Sequence, residues 1–415
     1  MLHQLLKTAA AVEGIQAADS LRISPDHVVL DPLTLKETGK AMSGDHCAVS
    51  TLIISNHMPP AIVPDPGQIS VFRKRGATYY PAGRTGMPAL VAAEDGFALP
   101  GSILVTTDRN LAELGVLGTL VLRTDPEQAG KLLDTGSLDI TVPDTFTLLF
   151  QGNPGEWIGG IDIALYIKNY FTLPEDPDTV IEIHGEGLAN LPLHERFNLA
   201  RILADFGHER ILFQVDPEVM AFLQDRSDGV GNYYFPAEDI TNDIVIDLQK
   251  IHPMIAWNEN GELRIGNLTD KDQSPVSHIC IGGEAACRYR DFEAGLKMVR
   301  YRPVADPVTA CMMPGSQLVA GDLIDMGTAG IFLEIGFELL PSSFLENLTR
   351  PAASDPARLG TSVSILRSGG MLAGALSCFS AAMTGRITHP LELESMIKQE
   401  ETHHHDPKHD EETEI

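Results

Sequence analysis

Short apolar runs bounded by glycine or turn residues alternate with helical patterns along almost the whole chain, and this alternation limits the fold more than any other feature. A representative helical pattern covers residues 193–207, where apolar side chains recur at helical spacing and Gly207 is a candidate C-cap. The pattern predicts a layered α/β fold. The runs typical of buried strands are residues 51–55, 102–107, 211–215, 278–283 and 329–336.

The 415 residues are too many for one ordinary core, so two or three domains are expected. Polar, proline-rich stretches at residues 172–179 and 258–275 are candidate breaks. The last residues are dense in charge and carry almost nothing to bury, which is typical of disorder. We therefore predict a first α/β/α region, a second α/β region, a third α/β/α region and a disordered acidic, His-rich tail, at residues 1–172, 173–275, 276–396 and 397–415.

The formal charge of −27 argues against nucleic-acid binding, which needs clustered Lys and Arg. No apolar run reaches the roughly 20 residues that span a bilayer, and the N-terminus is predicted to form an amphipathic helix rather than a signal peptide. The five cysteines, Cys47, Cys280, Cys287, Cys311 and Cys378, form no C-x-x-C pair. Reduced thiols and a cytoplasmic location are the expectation, with no membrane association.

Six segments occur in the order and at the spacing found in the large subunits of 3-isopropylmalate dehydratase, in the aconitase superfamily, and the chain resembles that family over nearly its whole length. The resemblance implies a fold of three-layer α/β/α domains around a central cleft. It also implies a stand-alone large subunit, with the small swivelling domain on a separate chain. The segments are PGSILVTTDRNLAELGVLGTL (100–120), LLDTGSLDITVPDTFTLLFQG (132–152), IEIHGEGLANLPLHERFNLA (181–200), FPAEDITNDIVIDLQKIHPMIAW (235–257), VSHICIGGEAACRYRDFEAG (276–295) and MMPGSQ (312–317).

The chemistry that the resemblance implies is the dehydration and rehydration of a small hydroxycarboxylate. In the family, three thiolates hold a [4Fe–4S] cluster that acts as a Lewis acid, an Asp–His pair handles the leaving hydroxyl, and arginines bind the carboxylates. This sequence departs from the pattern at the cysteine positions, which align with Glu284, Ser343 and Glu346. The family loop D-S-H becomes Asp108-Arg109-Asn110, which keeps the acid and loses the histidine.

Because of these departures, we expect no bound cofactor and disfavour a [4Fe–4S] cluster. If a metal ion binds, carboxylate ligands favour Mg²⁺ or Mn²⁺. We expect no metal ligand among the site residues themselves. The predicted catalytic residues are Asp108, His57, Glu284 and Glu346, and the predicted substrate-binding residues are Arg288, Arg109 and Ser343.

Two classes of function fit this sequence. One is a repurposed hydro-lyase or isomerase acting on a small hydroxycarboxylate. The other is a non-catalytic protein that binds a ligand or pairs with a small-subunit-like or large-subunit-like partner. Because two carboxylates in one cleft repel each other, we expect an arginine beside Glu284, with Arg109 favoured over Arg288.

Three of these residues and segments also have plain structural interpretations. Asp108 could instead cap the helical segment that begins at Leu111. His57 could be an ordinary loop histidine. The His-rich stretch at residues 403–409 is expected to be solvated rather than to chelate a metal.

Overall fold

The computed structural model describes residues 1–10, 14–55, 65–81, 85–108, 110–226, 242–345 and 355–404. Within these ranges the strands form one two-stranded sheet and larger sheets of five, four and seven strands. None of the helices found there is both long enough and apolar enough to cross a membrane.

The first large sheet is parallel and has the strand order β4-β3-β2-β5-β6. All four residues of β5 are buried, which explains why its sequence is continuously apolar instead of alternating. Proline in the first turn, preceded by a capping aspartate, starts both α3 and α5. The elements of this part are α1 (Leu2–Ala10), β1 (Ser20–Ile23), β2 (His27–Leu30), α2 (Leu35–Ala41), β3 (Ser50–Ile54), α3 (Pro66–Lys74), β4 (Thr78–Tyr80), α4 (Pro88–Glu94), β5 (Ile103–Thr106), a 3₁₀ helix (Ala112–Leu117), β6 (Leu120–Arg123), α5 (Pro126–Thr135) and β7 (Leu138–Thr141), which pairs with β1.

The second large sheet is also parallel and has the order β10-β9-β8-β11. Helices α6 and α7 pack closely because Gly160 has no side chain: a Cβ there would overlap the backbone carbonyl of Glu195. The elements are β8 (Thr145–Gln151), α6 (Gly160–Tyr170), β9 (Val180–His184), a 3₁₀ helix (Glu186–Asn190), α7 (Leu193–Asp205), β10 (Ile211–Phe213), α8 (Pro217–Gln224), β11 (Ile244–Asp247) and a 3₁₀ helix (Leu248–Lys250).

The third large sheet is mixed and has the order β13-β12-β18-β17-β14-β15-β16, with β12 antiparallel to both of its neighbours. The elements are β12 (Met254–Glu259), β13 (Glu262–Asn267), a 3₁₀ helix (Leu268–Lys271), β14 (His278–Gly282), α9 (Tyr289–Val299), β15 (Thr309–Met313), α10 (Gln317–Asp325), α11 (Thr328–Glu334), β16 (Phe337–Leu339), a 3₁₀ helix (Ser342–Phe344), β17 (Arg358–Gly360), α12 (Val363–Arg367), β18 (Met371–Ala373), α13 (Ala375–Thr384) and α14 (Pro390–His404).

The expected α/β class is confirmed, and four of the five predicted strand runs overlap β3, β5, β10 and β14. The prediction of a strand at residues 329–336 is wrong, because this segment forms most of α11. Ala329 and Phe332 are buried while Gly330 and Leu333 are exposed, which is a helical period. A run this short cannot be assigned by periodicity alone.

Two further expectations concern how the chain is divided. The breaks at residues 172/173 and 275/276 do not coincide with changes of sheet: β8 lies before the first break yet pairs with β9, and β12 lies before the second yet pairs with β18. The domain boundaries themselves stay a prediction. Helix α14 extends to His404, into the stretch expected to be a disordered tail from residue 397, and residues 405–415 lie outside the described residues.

Candidate functional site

Where β14 ends, two consecutive glycines have positive φ angles: Gly282 (φ 97°) and Gly283 (φ 86°). Glycine adopts this conformation without steric cost. The Gly282 N–H donates to Thr361 Oγ1 (2.9 Å), and the Gly283 N–H donates to the carbonyl of Met313 (2.8 Å). The loop is therefore fixed from two neighbouring strands, and it presents Glu284 at the carboxyl end of the sheet, where α/β proteins commonly bind ligands.

Glu284 is held by hydroxyl groups from the start of α12. Ser362 Oγ and Ser364 Oγ both donate to its carboxylate, the second at 2.9 Å from each oxygen. Arg201 Nη2 lies 3.8 Å from Glu284 Oε1, and 24% of the Glu284 side chain is exposed. We refer to Arg201, Asp205, Glu284, Ser362 and Ser364 as the Glu284 cluster.

Arg201 is the cation of this cluster and is almost fully buried. Its guanidinium binds Asp205 in bidentate fashion, with Nε–Oδ2 and Nη2–Oδ1 distances of 3.0 Å each. Burial opposes the positive charge, but the carboxylates of Asp205, Glu284 and Glu113 outweigh it and raise the pKa of Arg201. Burial also raises the pKa of Asp205, although Arg201 opposes that shift. The cluster thus keeps a permanent positive charge between two acids.

A second ion pair lies beside the cluster. Arg288 Nη2 donates to Glu113 Oε1 (2.9 Å), and the Arg288 guanidinium lies 3.9 Å from the centroid of the Phe197 ring. The expectation that Arg109 or Arg288 would neutralise Glu284 is therefore wrong for Arg288, because Arg288 is engaged with Glu113. Arg201, which comes from α7, lies beside Glu284 instead. Arg109 lies outside the described residues.

A buried polar network connects α7 to the same loop and to α9. Asn198 Oδ1 accepts from the Ala286 N–H (2.8 Å), and Asn198 Nδ2 donates to Asp291 Oδ1 (2.7 Å) and Glu195 Oε2 (3.1 Å). One ligand atom each of His194, Glu195 and Asp291 lies within 4.8 Å of the others, so these three could hold a metal ion. Their carboxylates already accept hydrogen bonds from the protein, and this assigns them a structural role.

Asp162, at the start of α6, belongs to the same buried region and gives a testable pH dependence. Its carboxylate accepts from the N–H groups of Met254 (2.8 Å) and Gly159 (3.0 Å), yet burial raises its pKa to about 7. The unfolded chain loses this proton near the ordinary pKa of about 3.9, whereas the folded protein keeps it up to about pH 7. The contribution of Asp162 to the free energy of unfolding is therefore fully present below about pH 3.9 and is lost as the pH rises through about 7.

In the wild type, the free energy of unfolding should therefore fall by about 1.4 kcal/mol per pH unit between these two pH values. We expect Asp162→Asn to abolish this fall, because its amide side chain does not titrate. Urea denaturation of both proteins at several pH values between the two limits measures the difference. Asp139→Asn is a control with the opposite sign, since Arg22 lowers the pKa of exposed Asp139. A difference between Asp162→Asn and wild type that does not change with pH would contradict the assignment.

The structure describes only some of the residues predicted for the site. Asp108 follows β5, is 5% exposed, and accepts a hydrogen bond from the Asn110 N–H (2.8 Å), so it stabilises its own loop. Glu284 and Arg288 lie in the loop after β14 and immediately before α9. His57 and Glu346 lie outside the described residues, and Ser343 is described only as part of a 3₁₀ helix.

Sequence reasoning missed Arg201 and Asp205. The available signal was a polar stripe on an otherwise apolar helix: Asn198, Arg201 and Asp205 are spaced at i, i+3 and i+7, which places them on one face of α7. Asn198 and Arg201 are buried in the structure. A buried polar stripe of this kind indicates partners on another element.

The comparisons with known proteins agree with this architecture. The model of the aconitase family (aconitate hydratase) matches residues 69–343, more than half of the chain. Among curated proteins, a 3-isopropylmalate dehydratase large subunit of Clostridium kluyveri is 22% identical over 81% of this chain and 83% of its own. One of Moorella thermoacetica is 23% identical over 80% and 81%. The chain belongs to the aconitase family.

Among solved structures, the holo-form of Thermococcus kodakaraensis aconitase X aligns with 91% of this chain and 90% of its own, at 13% identity and a TM-score of 0.49. The expectation of an aconitase-type fold resembling the dehydratase large subunit is confirmed by the family match and the curated relatives.

The expectation of a protein without a cofactor, with a divalent cation as the option, is corrected by this membership. The resemblance implies iron–sulfur chemistry for the aconitase family. Membership of that family therefore gives no support for a protein without a cluster. The described thiols do not offer three thiolates at the Glu284 loop: Cys287 is fully buried there, and burial raises its pKa to about 12. Since these donors do not fit a cluster, no reaction step below is routed through one.

Proposed function

We propose that this protein is a hydro-lyase or isomerase that removes water from a small hydroxycarboxylate, and adds water back to the unsaturated acid, at the Glu284 cluster. One observation carries the proposal: a partly exposed carboxylate, oriented by two serine hydroxyls, lies beside a buried arginine at the carboxyl end of a sheet. A base and a cationic carboxylate binder are two of the parts that such a reaction needs.

In the proposed dehydration, Glu284 removes the proton from the carbon next to the substrate carboxylate, and Arg201 stabilises the negative charge that develops on that carboxylate. The carbon–carbon double bond forms as the bond to the hydroxyl group breaks. The hydroxyl leaves as water after it takes a proton from an acid of the site. Asp108, His57 and Glu346 are the proposed acids, and Arg109 and Ser343 are proposed to contribute to substrate binding.

A partner chain is part of this proposal. The curated relatives are named large subunits, and we propose that this chain works with a separate small-subunit-like chain that completes the site. A non-catalytic role as a ligand-binding or partner subunit is the second candidate. It is favoured by the hydrogen bonds that already occupy Glu284, from Ser362 to Oε2 and from Ser364 to both carboxylate oxygens.

The test is turnover by the purified chain, with and without a co-expressed small subunit. Malate, citramalate, 3-isopropylmalate and citrate are offered, and formation of the conjugated double bond is followed by ultraviolet absorbance. Iron and sulfide analysis of the same preparation measures cluster content. Turnover of at least one acid is expected, and its absence in every preparation, including anaerobic ones with iron and sulfide supplied, would favour the non-catalytic candidate.

We expect Glu284→Gln to lower kcat by about 10²–10⁴-fold with a much smaller change in KM, because the base is lost while Arg201 is kept. Glu262→Gln is the matched control, since Glu262 lies exposed on β13, outside the Glu284 cluster. A Glu284→Gln protein with the kcat of the control would exclude Glu284 as the base.

A further inference from the structure

A cavity of about 210 Å³ lies between α4, the start of α7, the end of α8 and the first turns of α9 and α10. None of the five residues of the Glu284 cluster lines it. Its volume is below the range of pockets that bind drug-sized molecules, so it suits a ligand with only a few carbon atoms.

Three arginines line this cavity, although the protein as a whole is acidic. The chain has 30 Lys and Arg residues against 57 Asp and Glu, yet Arg226, Arg288 and Arg290 all line this one space. Arg226 forms no ion pair with any carboxylate in the described part of the chain, and its Nη1 donates to the carbonyl of Phe222 (2.6 Å). Arg288 binds Glu113 through Nη2, but its buried Nη1 has no hydrogen-bond partner among the described residues. Arg290, by contrast, is neutralised by Glu293 (2.6 Å).

The remaining wall is mostly apolar. The Arg226 guanidinium lies 4.0 Å from the centroid of the Phe222 ring, and Phe197 packs against Phe222 at 6.3 Å between ring centroids. Leu318, half exposed on α10, lies at the edge of the cavity. A guanidinium held over an aromatic ring, next to leucine side chains, is suited to an anion that also carries an apolar group.

Two acidic side chains, Glu94 and Asp322, oppose the arginines within the cavity. Ser316 Oγ donates to the Glu94 carboxyl group at 2.7 Å, and burial raises the pKa of Glu94, although Arg288 and Arg226 oppose the shift. A charged Glu94 repels an entering anion, whereas a neutral side chain of the same shape does not. Glu94 therefore limits the affinity of the cavity for anions and provides a variant that should strengthen binding.

We propose that this cavity binds a short, branched monocarboxylate, with the carboxylate on Arg226 and Arg288 and the apolar tail against Phe197, Phe222 and Leu318. The site is separate from the Glu284 cluster, so it would act as an effector or product site rather than as part of the proposed reaction.

The test is isothermal titration of the full chain with isovalerate, compared with isovaleramide, which has the same shape and no charge. Arg226→Gln is expected to weaken isovalerate binding about 10–100-fold, the range for losing a hydrogen bond to a charged group. Glu94→Gln is expected to strengthen it. Isovaleramide should bind much more weakly than isovalerate to the wild type.

Two controls make the result decisive. Arg264→Gln removes an equal charge from exposed β13 and should leave the affinity unchanged, which excludes a general charge effect. Glu284→Gln should also keep the affinity, so failure of the proposed reaction does not affect this result. No saturable isovalerate binding, equal binding of isovaleramide, or equal affinity in Arg226→Gln would each overturn the proposal.

Discussion

Replacement of Arg201 by methionine is expected to lower the free energy of unfolding by about 3–5 kcal/mol, because it leaves two carboxylates in a buried site without their cation. Asp205 loses a bidentate partner at 3.0 Å, and Glu284 loses the charge that lies 3.8 Å away. Methionine keeps much of the volume of the side chain, so the change tests the charge more than the packing. Urea denaturation followed by circular dichroism measures the effect.

A matched control is Arg22→Met. Arg22 also binds an aspartate in bidentate fashion, Asp139 at 2.7 Å, but both side chains are mostly exposed, so we expect no measurable change in the urea midpoint. The double variant Arg201→Met/Asp205→Leu should recover part of the lost free energy of unfolding, because it removes the Asp205 carboxylate, one of the two charges left without a cation. Equal midpoints for Arg201→Met and Arg22→Met would mean that the buried pair contributes little.

Gly282→Ala is expected to destabilise the protein by about 2–5 kcal/mol, since it combines a backbone penalty with a steric clash. The positive φ costs an alanine about 1–2 kcal/mol. In addition, the new Cβ would overlap the carbonyl oxygen of Met313 on the adjacent strand, and that oxygen accepts the hydrogen bond from Gly283. The loop that carries Glu284 would have to move away from β15.

Gly261→Ala separates the two contributions. Gly261, in the turn between β12 and β13, has a φ of 83°, close to that of Gly282, but nothing lies within 4 Å of the position of its Cβ. It should therefore show the backbone penalty of about 1–2 kcal/mol alone. If the urea midpoints of the two variants shift equally, the close approach of β15 is not what requires glycine at position 282.

The sequence predicted those parts of the fold that depend on local patterns. The apolar runs of β3, β5 and β14 are buried on both faces, so they could be recognised without any knowledge of their neighbours. Glu284 was recognised because it follows one of these strands within a motif of the family. The run at residues 329–336 failed because a helix of seven residues is too short to show its period clearly.

The parts that failed depend on contacts between distant segments. Glu284 was expected to meet Arg109 or Arg288, residues close to it in sequence or in the family alignment. Its cation comes instead from Arg201 on another helix, and Asn198 on the same helix bonds to a backbone group 88 residues further along the chain. Spacing along the chain carries no information on which buried polar groups will meet. The expectation about the cofactor failed because it was drawn from aligned positions alone.

Helix α7 has a consequence for how a ligand could enter. Its side chains bind the loop after β14 and the start of α9 through Asn198 and Arg201, so the parts of the molecule built on the second and third sheets are joined by buried polar bonds. Hinge motion between those two parts would break several of these bonds at once, and each lost partner would leave an unsatisfied group behind. Opening of the Glu284 cluster must therefore come from segments that make none of these bonds.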